Sequence, residues 1–203
     1  MKLLIVLARI LSTVFRPVYY PTVGIIILLT STYLILLPWS FRLAILSLVY
    51  VFTVALPAGA TYLYRRIRKL SRYELRHRQK RWGPYIIHLV CYIACMQVMM
   101  ALRLPRFMIG VIAASALIQC TCILINMKWK VSVHSAGSGG VIGALVAYSF
   151  IFSFNPVWWL CLAILVSGLV MTSRMLLRQH SLWQVLGGTA VGIICGYYGI
   201  IFM

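Results

Sequence analysis

The chain has 203 residues, 63% of them apolar and only 10% charged, with a mean hydropathy of +0.99, which excludes a water-soluble globule. Nineteen Lys and Arg stand against one acid, Glu74, for a formal charge of +18; beside long apolar runs this reads as the charge of membrane-flanking loops rather than of a nucleic-acid binder. One carboxylate also excludes mechanisms built on carboxylate pairs or carboxylate-held metals.

The first sixteen residues place Lys2, Arg9 and Arg16 seven positions apart, with Thr13 on the same helical face and Leu, Ile, Val and Phe elsewhere. This pattern predicts an interfacial helix over 1–16. A signal peptide is the competing reading, opposed by Arg9 inside the apolar stretch and by the lack of a clear small-residue cleavage site. Apolar segments follow at 18–37, 42–64, 85–102, 107–126, 139–154, 156–172 and 184–203. About 20 helical residues cross about 30 Å of hydrocarbon, so the fifth and sixth are short and six or seven spans are expected. No ten-residue alternation marks a barrel, and helices satisfy their backbone groups internally. The prediction is an all-α polytopic membrane bundle, with 1–203 forming one membrane domain.

Short turns at 38–41, 103–106 and Asn155-Pro156 make adjacent spans antiparallel neighbours. Longer polar connections at 65–84, 127–140 and 173–183 are separated by two spans each, so all three emerge on one membrane face. The six cysteines (Cys91, Cys95, Cys120, Cys122, Cys161, Cys195) lie in apolar stretches and read as small hydrophobes without a disulfide framework. Cys120 and Cys122 lack a second ligand pair for a metal. His88, inside a span, is expected to bond a neighbouring helix. Glycines 187, 188, 192 and 196 are expected to serve close helix packing, and Trp158 and Trp159 an interfacial belt.

The third connection reads Ser173-Arg174, five residues, His180, three residues, Gln184; the second reads Lys130-Val131-Ser132-Val133-His134. A phosphate monoester carries up to two negative charges, and Arg offers planar, bidentate donors to its oxygens. Arg78, Arg81, Lys130 and Arg174 can supply the cations. Ser132 and the backbone N–H groups of 137–140, expected to open the next helix, can add neutral donors. His134 and His180 suit a nucleophile and an acid/base near neutral pH, and chain position alone does not divide the roles. Gln184 sits one helical turn beyond His180, where its amide oxygen can accept a ring N–H.

These residues resemble the type 2 phosphatidic acid phosphatase family, membrane relatives of the vanadium haloperoxidases. Ser173, Arg174 and His180 match its third motif, S-R-x5-H-x3-D, with Gln184 at the Asp. Ser132 and His134 match its second, P-S-G-H, with Val131 and Val133 replacing Pro and Gly. For its first motif, K-x6-R-P, Lys69 and Arg76 keep the spacing with His77 at the Pro, while Arg78 and Arg81, followed by Pro84, are the preferred pair. The resemblance covers 65–203.

It implies that His180 is the nucleophile, forming a phosphohistidine, that His134 is the acid/base, and that Gln184 orients His180. It further implies that Arg78, Arg81, Lys130, Ser132 and Arg174 hold the phosphate, with no metal or other cofactor. The implied activity is hydrolysis of a lipid phosphomonoester or pyrophosphate whose tail stays in the bilayer; phosphatidic acid, phosphatidylglycerophosphate, polyprenyl pyrophosphate and lipid A are all open. Alternatives are a lipid phosphotransferase and a non-catalytic lipid-phosphate-binding protein. The implied location is a bacterial cytoplasmic membrane. Sixteen of the nineteen basic residues fall on the motif face, which the positive-inside rule puts in the cytoplasm, whereas bacterial members of the family work on the outer side.

Overall fold

The computed structural model describes residues 2–69 and 82–203, and among these every regular element is helical. Helix α1 (Lys2–Val14) stops where Pro17 forces its predecessor out of helical geometry, leaving Arg16 extended at φ −72°, ψ 139°. One 3-10 turn, Pro17–Tyr19, leads into α2 (Tyr20–Ser31), and a second, Tyr33–Leu36, follows it. Helices α3 (Trp39–Tyr50) and α4 (Leu56–Ile67) join through a π-helical turn, Val51–Ala55. Pro57, which has no N–H to give to the carbonyl four residues back, accounts for that widened turn. The chain continues as α5 (Trp82–Ala101), α6 (Arg106–Lys128), α7 (Val133–Phe152), α8 (Val157–Leu176) and α9 (Leu182–Ile201).

Seven helical segments are long and apolar enough to cross a membrane, with Leu3–Ser31 and Trp39–Ile67 each counted as one. The chain is therefore an integral membrane protein with seven candidate spans. The two stretches that looked short are each 20 residues long, for local reasons. Ser132 caps α7 by accepting the Ser135 N–H, so the helix starts at Val133 rather than near residue 139. Helix α8 runs on through the polar pair Ser173-Arg174, because the Ser173 hydroxyl donates back to the Val170 carbonyl (2.7 Å) and Arg174 donates to the Ser12 hydroxyl. One expectation is thereby corrected. Residues 137–140 lie inside α7, where their N–H groups serve the helix, and the free helix start passes to Val133 and His134.

Helix α1 packs along α8 with Ala8 and Ser12 buried, while Leu3, Leu4 and Ile10 face outward. His88 has the ring of Tyr92, on its own helix, beside it with centroids 6.3 Å apart. All six cysteines are free, and Trp158 at the start of α8 is exposed.

The tightest packing joins α7 to α9. Gly188, Gly192 and Gly196 recur every four residues on α9 and face the carbonyls of Ser132, Ala136 and Gly140, equally spaced on α7. A Cβ on Gly188 would lie 2.7 Å from the Ser132 oxygen, and Cβ atoms on Gly192 and Gly196 would strike the Ala136 and Gly140 oxygens. From the other side, Gly139 and Gly143 stand against the carbonyls of Thr189 and Ile193. Bare backbone meets bare backbone, the close approach that small residues permit in membranes and that allows Cα–H···O contacts. The packing role expected of these glycines is what the structure shows; Gly187 instead receives the Trp129 ring. Gly192→Ala is expected to cost about 1–3 kcal/mol through overpacking and to lower the thermal midpoint in detergent. Gly168→Ala, with nothing within 4 Å of the added Cβ, should leave the midpoint unchanged or slightly raised.

Candidate functional site

Because α7 and α9 touch along their backbones, their N-terminal ends lie side by side. The Ser132 N–H donates to the Gln184 carbonyl (3.2 Å), and Lys130 Nζ donates to the Gln179 carbonyl (2.8 Å). With Trp129 seated on Gly187, three contacts bind the second polar connection to the third. His134, in the first turn of α7, consequently comes within Coulombic reach of His180 and Arg174.

The end of α8 shapes the third connection. The Gln179 N–H donates to the Arg174 carbonyl (3.1 Å) and the Arg178 N–H to the Met175 carbonyl (2.8 Å), the paired bonds of a Schellman turn. Arg178 takes the left-handed position at φ 51°, where glycine is usual and another residue costs about 1–2 kcal/mol. The turn delivers His180, only 9% exposed, to the start of α9.

His180 Nδ1 lies 3.1 Å from Gln184 Oε1, and the same oxygen accepts the Ser181 backbone N–H at 3.3 Å. The backbone N–H can only donate, so it fixes the amide with its oxygen toward the ring. Nδ1 therefore carries the proton in the neutral imidazole, and Nε2 keeps the lone pair.

Beside these residues opens a cleft of about 690 Å³. His134, Arg174, Arg178 and Gln179 line one side, and α1 supplies the other through Arg9, Ser12, Thr13 and Arg16. Ser12 is the joint between the two sides: its hydroxyl accepts from Arg174, and its backbone hydrogen-bonds the His134 ring. Arg16 also lies within Coulombic reach of His134. Four guanidinium groups thus border one cleft, while the chain's single acidic side chain, Glu74, lies outside the described residues. Such a site is complementary to a multiply charged oxyanion. Among the described residues no three His, Cys, Asp or Glu side chains group as metal ligands.

Of the residues singled out in the sequence, His134 and Arg174 line the cleft, whereas His180 is not among its lining residues and is bonded to Gln184. Lys130 spans the two connections through Gln179 and is not among the lining groups. Ser132 is fully buried, its hydroxyl accepting from the Ser135 N–H (3.4 Å) and the Ser135 hydroxyl (3.0 Å). Arg78 and Arg81, like Arg76, lie outside the described residues.

Sequence reasoning missed the contribution of α1. Its signal was the seven-residue step from Arg9 to Arg16 followed at once by Pro17, a pattern that surface amphipathicity also produces. Comparison of the chain with protein-family models, with curated proteins and with solved structures returns no match.

Binding of tungstate, a phosphate mimic, followed by calorimetry in detergent, is expected to weaken about tenfold in Arg16→Ala and in Arg174→Ala, the loss of one charge-assisted contact each. Arg42→Ala, whose guanidinium lies 4.6 Å over the Trp39 ring away from the cleft, should bind as the parent does.

Proposed function

We propose that the protein is a membrane lipid phosphatase of the type 2 phosphatidic acid phosphatase kind, hydrolysing a lipid phosphomonoester or pyrophosphate through a phosphohistidine. The observation that carries the reading is that His134, which lines a cleft bordered by four arginines, is paired with a His180 whose Nδ1 is held by Gln184. Further support comes from α1. Arg9, six residues, then Arg16-Pro17 keeps the spacing and the Pro of the family's K-x6-R-P motif, with Arg in place of Lys. On this reading the first motif lies in α1 and not at 69–81. The basic residues of 65–81 then serve anionic headgroups, at about 1 kcal/mol each near the surface.

In the first step the arginines of the cleft hold the phosphoryl oxygens and offset the charge that builds on them. His180 Nε2 attacks phosphorus in line, the bond from phosphorus to the lipid oxygen breaks, and His134 gives its proton to the departing alkoxide. In the second step His134 takes a proton from water, whose oxygen attacks the phosphohistidine; the N–P bond breaks, its electron pair returns to Nε2, and orthophosphate leaves. Gln184 keeps the ring oriented in both steps but brings no negative charge to balance the imidazolium. Ser12, bonded to both Arg174 and His134, holds the clamp and the acid/base in register.

Release of orthophosphate from a panel of lipid phosphates, measured in detergent with a chelator present, tests the proposal. His180→Ala is expected to lower turnover by about 1,000-fold or more, since no other nucleophile stands in its place. Near-normal turnover in that variant would remove His180 from the role. Transfer of the phosphoryl group to a lipid hydroxyl would make the protein a phosphotransferase, and binding without turnover a non-catalytic lipid-phosphate receptor.

Gln184 gives a separate test. Gln184→Leu should lower kcat by roughly tenfold through loss of the acceptor. Gln184→Glu retains the bond and adds a negative charge that favours the protonated ring, so the acidic limb of the pH–rate profile should move to higher pH.

A further inference from the structure

A second cavity, of about 140 Å³, lies between α2, α6 and α7 and is predominantly apolar. On α7 it runs from Val133 past Val141 to Tyr148, sixteen residues or about 22 Å of helix. Its lining comes within one residue of the lining of the cationic cleft at two places. Arg16 lines the cleft and Pro17 the cavity; His134 lines the cleft and Val133 the cavity. Near this junction Tyr20 lays its ring over Gly137, where an added Cβ would lie 2.6 Å from the ring. The Tyr20 hydroxyl is buried and has no hydrogen-bond partner among the described residues, which leaves a donor for a ligand oxygen.

Resting on the phosphatase reading, we infer that this cavity holds the hydrocarbon chain of the substrate, and that the substrate is a single-chain lipid phosphate of prenyl or alkyl type. The cavity begins one residue from the acid/base, so apolar substance must start close behind the phosphate. A glycerol carrying two esters would put polar groups at that point, against Val133 and Pro17. A volume of about 140 Å³ drawn out along about 22 Å admits one chain and not two abreast. The bilayer supplies such a molecule directly, because Val23 and Ile27 of the cavity wall are also exposed on the outer surface of α2.

Turnover of p-nitrophenyl phosphate, farnesyl phosphate and dioleoyl phosphatidic acid by the wild-type protein in detergent separates the two levels of the argument. Hydrolysis of p-nitrophenyl phosphate tests the phosphatase reading alone. The cavity assignment expects kcat/KM for farnesyl phosphate to exceed that for the diacyl lipid by about tenfold or more, and Val141→Trp to raise the farnesyl phosphate KM about tenfold. Leu165→Trp, on the exposed side of α8, should leave that KM unchanged. A diacyl preference in the wild type, or a farnesyl phosphate KM unmoved by Val141→Trp, overturns the assignment. If Val141→Trp does not fold, photolabelling of the wild-type protein by a farnesyl phosphate bearing a diazirine decides instead. Label on Val141, Ala144 or Tyr148 supports the cavity, and label confined to outward residues such as Leu165 and Phe150 overturns it. The labelling result stands even if p-nitrophenyl phosphate is not hydrolysed, so failure of one reading is not mistaken for failure of the other.

Discussion

Where Gly192 of α9 lies on the Ala136 carbonyl of α7, no side chain separates the two helices, and the arrangement repeats one turn away on either side at Gly188 and Gly196. In a membrane the lipid is as apolar as the helix surfaces, so burial of hydrocarbon adds little to association and close van der Waals fit must do the work. A stripe of glycines against a stripe of carbonyls also fixes register, since a slide of one residue would bring Cβ atoms into the carbonyl row. Register here places the residues of the candidate site. It levels the start of α7 with the start of α9, lets the Ser132 N–H reach the Gln184 carbonyl, and so sets His134 beside His180.

The cations demand a second constraint. Arg9, Arg16, Arg174 and Arg178 repel one another, and the described part of the site holds no carboxylate to relieve them. Their common position is set by neutral groups instead. Ser12 bonds both Arg174 and His134, and the Schellman turn at the end of α8 holds Arg178 in a left-handed conformation. An arrangement of positive charge maintained in this way is relieved by an anion, which is the physical ground on which an oxyanion site is proposed. The α1–α8 contact is as much a part of that site as the α7–α9 pair, because α1 provides half of the wall.

The place proposed for the hydrocarbon rests on the same geometry. Pro17 follows Arg16 and begins the turn into α2, and Val133 precedes His134 at the start of α7, so cleft-lining and cavity-lining residues change over within single peptide steps. A substrate that is charged at one end and apolar immediately behind it suits that boundary.

Much of this was legible in the sequence. Hydropathy marked seven apolar segments, the glycines between 187 and 196 marked the packing stripe of α9, and the one-turn step from His180 to Gln184 anticipated their bond. These are local properties, set by helical periodicity and by the exclusion of unsatisfied backbone from lipid. The start of α7 was misplaced because a buried serine cap outweighed the polarity of 132–138. Arg9 and Arg16 were read as surface charge because periodicity says which residues share a face and not what that face meets. Sequence by itself determined the spans, their order and the residue types of the loops; only the tertiary structure decided which cations converge on the histidines, because that depends on α1 packing against a helix more than 140 residues further along the chain.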